Sequence, residues 1–107
     1  MRRKPRIREF QELTNKILPM LLPYGVRRVA LFGSMVRGDA SPQSDVDILV
    51  DLKPPGERPP IGLKWFGLQH ELGELLGRKV DLVTDGDLSP YIRPYVEKEM
   101  VVLYEEG

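Results

Sequence analysis

One stretch, residues 33–50, constrains the fold of this 107-residue chain more than any other. It begins with Gly33-Ser34, directly after an apolar run that ends at Phe32, and it finishes in a run of alternating apolar and acidic residues that contains Asp45 and Asp47. Because strand side chains alternate between two faces, carboxylates two residues apart project together and can bind one cation. The stretch therefore predicts a strand, a turn suited to phosphates, and a second strand that carries acidic ligands.

Hydrophobic periodicity predicts helices and strands in alternation along the whole chain. The predicted helices cover residues 7–22, 34–38, 61–76 and 88–99, with a polar turn at 39–44. The predicted strands cover residues 26–32, 45–51, 79–84 and 100–104. Pro19 should bend or end the first helix, because proline lacks the N–H that the preceding turn requires. The order predicts a single α/β domain over residues 1–107.

Composition excludes several classes of protein. Sixteen basic and sixteen acidic residues cancel, which argues against binding to nucleic acid mainly through phosphate contacts. The absence of cysteine excludes thiolate zinc sites, and a single histidine leaves carboxylates as the metal ligands, which suit Mg²⁺ or Mn²⁺. No apolar run approaches the roughly 20 residues of a membrane span, and the N-terminus lacks the apolar segment of a signal peptide. We therefore expect a soluble, cytoplasmic protein with no membrane contact.

A third carboxylate, Asp81, lies between Val80 and Leu82 in a predicted strand. A buried acid without a partner is costly, so its position between two apolar residues indicates a function. Transfer of a nucleoside monophosphate develops charge around the α-phosphorus, which divalent ions held by acidic side chains stabilise. Asp45 and Asp47 could hold such ions, and Asp81 could orient or deprotonate the acceptor.

Each part of the pattern also has an ordinary explanation. Gly33-Ser34 after a strand can be a plain turn, and an Asp-x-Asp sequence is common in edge strands and calcium loops. Glycine, however, lets backbone amides approach phosphate oxygens, and the Ser34 hydroxyl can add a hydrogen bond. The joint occurrence of these residues with a third acid favours nucleotide chemistry.

At this point the sequence resembles the signature of the polymerase beta nucleotidyltransferase superfamily. The matching residues are Gly33-Ser34, Arg37-Gly38, Ser44-Asp45-Val46-Asp47 and the apolar strand that follows, together with Leu75–Val83 around the third acid. The chain is most similar to the minimal nucleotidyltransferases (MNT), small proteins paired with HEPN-domain partners in prokaryotic toxin–antitoxin modules. The resemblance implies the nucleotidyltransferase fold, an α/β (α+β) fold with a small mixed β-sheet and helices packed mainly on one face.

The same resemblance implies roles for individual residues. Gly33 and Ser34 would contact the nucleotide phosphates, Asp45 and Asp47 would bind the metal ions, and Asp81 would be the third catalytic acid and metal ligand. Arg37 matches a recurrent arginine, and two roles stay open for it: a phosphate or partner contact, or a structural salt bridge. From their position in the pattern rather than from the resemblance, Trp65 and Phe66 are assigned to core packing, with a partner contact through Phe66 as the alternative. Tyr91, Tyr95 and Tyr104 are assigned to packing or an interface.

The implied activity is Mg²⁺-dependent transfer of AMP from ATP to a tyrosine hydroxyl of a HEPN-domain toxin, for which this chain is the antitoxin. An alternative is a nucleotide-binding antitoxin that neutralises its partner by occlusion, without catalysis. No additional domain is expected to hold a nucleic-acid template or to shape a small-molecule pocket. The sequence is compatible with a homo- or hetero-oligomer.

Overall fold

The computed structural model describes residues 7–38 and 45–106, with side chains from residue 9 onward. Within these residues, helices and strands alternate in the predicted order. The helices are α1 (Ile7–Leu21), α2 (Ser34–Arg37), α3 (Leu63–Leu76) and α4 (Arg93–Glu99). The strands are β1 (Val26–Phe32), β2 (Val46–Leu52), β3 (Val80–Thr84) and β4 (Val101–Glu105). The predicted turn at 39–44, which includes Ser44, lies outside the described residues.

The strands form one mixed sheet in the order β3-β2-β1-β4. The central strand β1 is antiparallel to both β2 and β4, whereas β2 and β3 are parallel and are connected through α3. Val29, Ala30 and Leu31 of β1 are all buried, because helices cover both faces of the sheet. This explains why the apolar run of β1 is continuous rather than alternating.

The two faces of the sheet carry cores of unequal size. The larger core packs α1 and α3 against one face and includes Ile17, Leu21, Leu68, Leu72, Val29, Leu31, Ile48 and Val50. The smaller core packs α4 against the opposite face and consists of Ala30, Leu49, Leu88 and Val96, with Phe32, Val83 and Met100 at its margin. The predicted α/β fold with helices mainly on one face is confirmed, with α4 on the other.

The helices lie within two residues of their predicted bounds, except at the start of α4. Helix α1 continues past Pro19 to Leu21, whose fully buried side chain anchors the last turn in the larger core. Helix α4 begins at Arg93 rather than at residue 88, with Pro94 in its first turn. Proline is favoured there because the first N–H groups of a helix have no partner within it.

The aromatic residues divide between core and surface. Trp65 packs edge-on against Tyr24, with ring centroids 5.1 Å apart, beside the larger core. The prediction of core packing is wrong for Phe66, which is 76% exposed. Leu68 faces the core, and at about 100° per residue Phe66 points to the opposite side of α3. In the part of the chain that is described, no helix is both long and apolar enough to cross a membrane.

Candidate active site

One end of the sheet brings the predicted site residues side by side. Phe32, the last residue of β1, pairs with Asp47 on β2, and Asp47 pairs in turn with Asp81 on β3. On the other side of β1, Leu31 pairs with Val101 of β4. The C-terminal end of α4, which precedes β4, therefore lies at the same end of the sheet. We call the residues at this end of the sheet the site row. In the order of the strands they are Asp81, Asp47, Gly33 and Glu99.

Gly33 occupies a position in the row that only glycine fits without strain. Its φ is +79° and its ψ is −154°, a backbone conformation that residues with a Cβ rarely adopt. A Cβ added at Gly33 would also collide with Oδ2 of Asp47. Ser34, half-buried, follows at once and begins α2. The glycine predicted to contact phosphates therefore lies directly against a carboxylate predicted to bind metal.

The carboxylate of Asp47 lies in an unfavourable electrostatic environment. Burial raises its pKa above the usual value, and the negative charges of Asp81, Asp45 and Glu99 raise it further, while Arg37 opposes them. The charged form is disfavoured because carboxylates close together repel in a partly buried site. A bound cation would remove this penalty.

The other two predicted acids are more accessible. Asp45 precedes β2 and is partly exposed, with Oδ2 4.0 Å from Nζ of Lys79. Asp81 is exposed on the edge strand, so the expectation that this acid is buried between apolar neighbours is wrong. Its register with Asp47, rather than burial, brings it to the site. Among residues 7–38 and 45–106, no group of three acidic or histidine side chains is gathered closely enough to hold a metal ion.

Glu99 is a member of the site row that the sequence did not predict. Its Oε2 accepts a hydrogen bond from the Gly33 N–H at 2.7 Å, and Nη1 of Arg37 lies 3.3 Å from both carboxylate oxygens. The ion pair corresponds to the salt-bridge alternative for Arg37. Residues 33 and 99 are 66 positions apart, and no local pattern indicates their contact. Knowledge that β1 and β4 are neighbours would have been needed to find it.

Comparison with known proteins identifies the class of the fold. Residues 11–103 match the family model of the nucleotidyltransferase domain, so the chain belongs to the nucleotidyltransferase family. Within it, the chain is homologous to the protein adenylyltransferase MntA of Thermococcus cleftensis, with 46% identity over 78 residues that cover 73% of this chain and 75% of the relative. The predicted resemblance to MNT antitoxins is confirmed.

Two solved structures support the same assignment. A protein described provisionally as a minimal nucleotidyltransferase has a TM-score of 0.65 and 33% identity, covering 89% of this chain and 90% of its own. A toxin–antitoxin crystallised with AMP-PNP has a TM-score of 0.73 and 25% identity, covering 88% of this chain and 74% of its own. The predicted nucleotidyltransferase fold is confirmed.

Proposed function

We propose that this chain transfers AMP from ATP to a tyrosine hydroxyl of a HEPN-domain toxin and thereby acts as its antitoxin. The support is homology to a protein adenylyltransferase and similarity to a toxin–antitoxin with a bound ATP analogue. The HEPN partner and its tyrosine follow from the resemblance to minimal nucleotidyltransferases. The observation that carries the proposal is the pairing of Asp47 with Asp81 directly beside Gly33.

The acidic side chains suit a divalent cation, which we propose to be Mg²⁺ or Mn²⁺. Carboxylate oxygens are the donors that such hard cations prefer. Burial and the repulsion from neighbouring carboxylates together raise the pKa of Asp47, and a cation would relieve this penalty on its charged form. Asp45, Asp47 and Asp81 would hold the ion once their carboxylates draw together around it, because the described structure does not gather the three of them closely enough. When bound, it would stabilise the charge that develops on the transferring phosphoryl group.

The remaining groups of the site would bind the nucleotide and activate the acceptor. The Gly33 N–H and the Ser34 hydroxyl would donate hydrogen bonds to triphosphate oxygens. Asp81 would accept the proton of the tyrosine hydroxyl, whose oxygen forms a bond to the α-phosphorus while the α–β phosphoanhydride bond breaks and pyrophosphate leaves. Because Asp81 is exposed on an edge strand, a large acceptor has access to it.

The proposal is tested by incubating the protein with its purified HEPN partner, Mg²⁺ or Mn²⁺, and ATP labelled at either the α- or the γ-phosphate. We expect α-label, but no γ-label, on a tyrosine of the partner, and none in the presence of EDTA. Asp47→Asn should lose labelling. Asp51→Asn is the matched control, because Asp51 lies on the same face of β2 but pairs with Arg27 at 2.6 Å. No label with either metal would contradict the proposal.

The occlusion alternative has one observation in its favour: the Gly33 N–H is already occupied by Glu99. Asp45→Asn separates the two functions, because this partly exposed side chain can change without disturbing the core. If the variant binds the partner but no longer neutralises it, catalysis is supported. If neutralisation is unchanged, the protein acts by occlusion.

A further inference from the structure

The Glu99 carboxylate contacts two groups that a nucleotide phosphate would be expected to contact. Its Oε2 accepts the Gly33 N–H at 2.7 Å, and Arg37 Nη1 lies 3.3 Å from both oxygens. An N–H carries one proton and makes one strong hydrogen bond at a time. While Glu99 holds the Gly33 N–H, a phosphate oxygen therefore cannot accept it.

We propose that Glu99 is an internal competitor of the nucleotide: its carboxylate occupies a phosphate position at Gly33 in the nucleotide-free protein and must leave when the triphosphate binds. The inference rests on the proposed nucleotidyl transfer, because it assumes that Gly33 contacts phosphate. It assigns Glu99 a regulatory contact within the same site.

The position of Glu99 makes its carboxylate suited to leave. Glu99 is the last residue of α4, where the helix dipole disfavours a negative charge. It also lies near the carboxylate of Asp47, with which it shares a sign of charge. The contacts to Gly33 and Arg37 compensate for both effects, and a triphosphate would offer these two groups a stronger anionic partner.

Release of the side chain does not require α4 to move. The Glu99 side chain is 26% exposed, so rotation about its own bonds can bring the carboxylate into solvent. One turn earlier, Val96 is 6% exposed and keeps α4 packed on the smaller core. A phosphate can therefore replace the Glu99 carboxylate at Gly33 without a change in the backbone conformation of the site row.

The test compares the affinity for AMP-PNP with Mg²⁺ in the wild type, Glu99→Gln and Glu99→Ala by isothermal titration calorimetry. If Glu99 occupies the phosphate position in most molecules, only the remaining fraction can bind nucleotide. The apparent Kd is then the intrinsic Kd divided by that fraction. We therefore expect Kd to fall about three- to tenfold in Glu99→Ala and by less in Glu99→Gln, whose amide oxygen can still accept the Gly33 N–H. Glu97→Gln is the matched control, because Glu97 lies on the same helix, is half-exposed and is 3.7 Å from Arg93; its Kd should equal that of the wild type.

A second measurement follows the contact itself. In ¹H–¹⁵N spectra, the Gly33 amide proton should shift upfield in Glu99→Ala, because the hydrogen bond to a carboxylate is lost. Inorganic pyrophosphate should move this resonance in the wild type. Circular dichroism establishes that the variants are folded. If Glu99→Ala does not fold, Glu99→Gln replaces it in both measurements; its neutral acceptor binds the Gly33 N–H more weakly, so a smaller upfield shift and a smaller fall in Kd are expected, and no change in either would contradict the inference.

The outcomes separate this inference from the proposed function. If the wild type labels its partner but folded Glu99→Ala binds AMP-PNP equally or more weakly, Glu99 positions the site instead of competing, and the inference is wrong. If the wild type and every variant fail both to bind AMP-PNP and to label the partner, the proposed function fails and the inference fails with it.

Discussion

At the scale of single residues, the partly buried carboxylate of Asp47 is the acid of the site row whose pKa is raised. Burial and the charges of Asp81 and Asp45 raise its pKa in the folded protein. The folded state therefore binds a proton more readily than the unfolded chain does. By linkage, the free energy of unfolding falls as pH rises from the ordinary aspartate pKa through the raised one.

Asp47→Asn should consequently stabilise the metal-free protein at neutral pH while abolishing transfer. With EDTA present, we expect a higher melting temperature than the wild type at pH 7 and a smaller difference below about pH 4, where the carboxyl group is protonated. Thermal melts from pH 4 to 8 measure this. Added Mg²⁺ should raise the melting temperature of the wild type more than that of the variant. A variant that melts below the wild type at pH 7 would contradict this account.

Gly33 has a backbone conformation and a close neighbour that no residue with a Cβ can accommodate without strain. Gly33→Ala should reduce the free energy of unfolding by about 1–3 kcal/mol and abolish nucleotide binding, because the added Cβ meets Asp47 and the positive φ is strained. Urea denaturation and calorimetric titration with AMP-PNP measure the two effects. Gly86→Ala is the control, since Gly86 has open space around its Cβ position and no positive φ; it should remain close to the wild type.

At the scale of elements, helix α3 contains two glycines with opposite surroundings. An added Cβ at Gly67 meets nothing within 4 Å, whereas at Gly73 it comes 2.9 Å from the backbone oxygen of Arg78. Gly67→Ala should raise stability by about 0.5–1 kcal/mol, since alanine is the better helix former. Gly73→Ala should lower it. Thermal melts decide, and an increase of equal size in both variants would show that space around the helix is not the controlling factor.

The elements were predictable from sequence where their determinants are local. The continuous apolar run of β1 and the period of α1 locate these elements within a few residues. The predicted core position of Phe66 is wrong because glycines interrupt the apolar stripe of α3 and leave its direction poorly defined. The predicted start of α4 is wrong because leucine and proline fit the first turn of a helix as well as a loop.

The candidate site, too, is predictable from the sequence where its contacts depend on local patterns. Gly33 and Asp47 belong to one short motif, and their contact follows once β1 and β2 pair. The predicted burial of Asp81 is wrong, since its side chain is exposed, and its catalytic role stays a prediction. Glu99 was missed because its place depends on the pairing of β1 with the last strand, which no pattern within either segment encodes.

At the scale of the whole molecule, the outer strand β3 combines Asp81, the proposed acceptor-activating acid, with a sheet edge. Next to Asp81, the backbone N–H of Leu82 donates to Oε1 of Gln69 at 2.7 Å instead of to a strand. Gln69→Ala should free this amide and increase self-association at high concentration, measured by light scattering. Gln11→Ala, an exposed glutamine on α1, should not change it. Equal scattering from both variants would remove this role of Gln69.

The Gln69 contact has a consequence for the solubility of the protein in a crowded solution. A strand at a sheet edge offers unpaired amides to which a strand of another molecule can add, and such addition is a route to aggregation and amyloid. A side-chain oxygen on the Leu82 N–H interrupts that row of donors next to Asp81, the residue proposed to activate the acceptor. Under the proposed function, this edge would admit a tyrosine side chain of the partner, while the Gln69 contact would oppose continuation of the β-sheet into an intermolecular fibril.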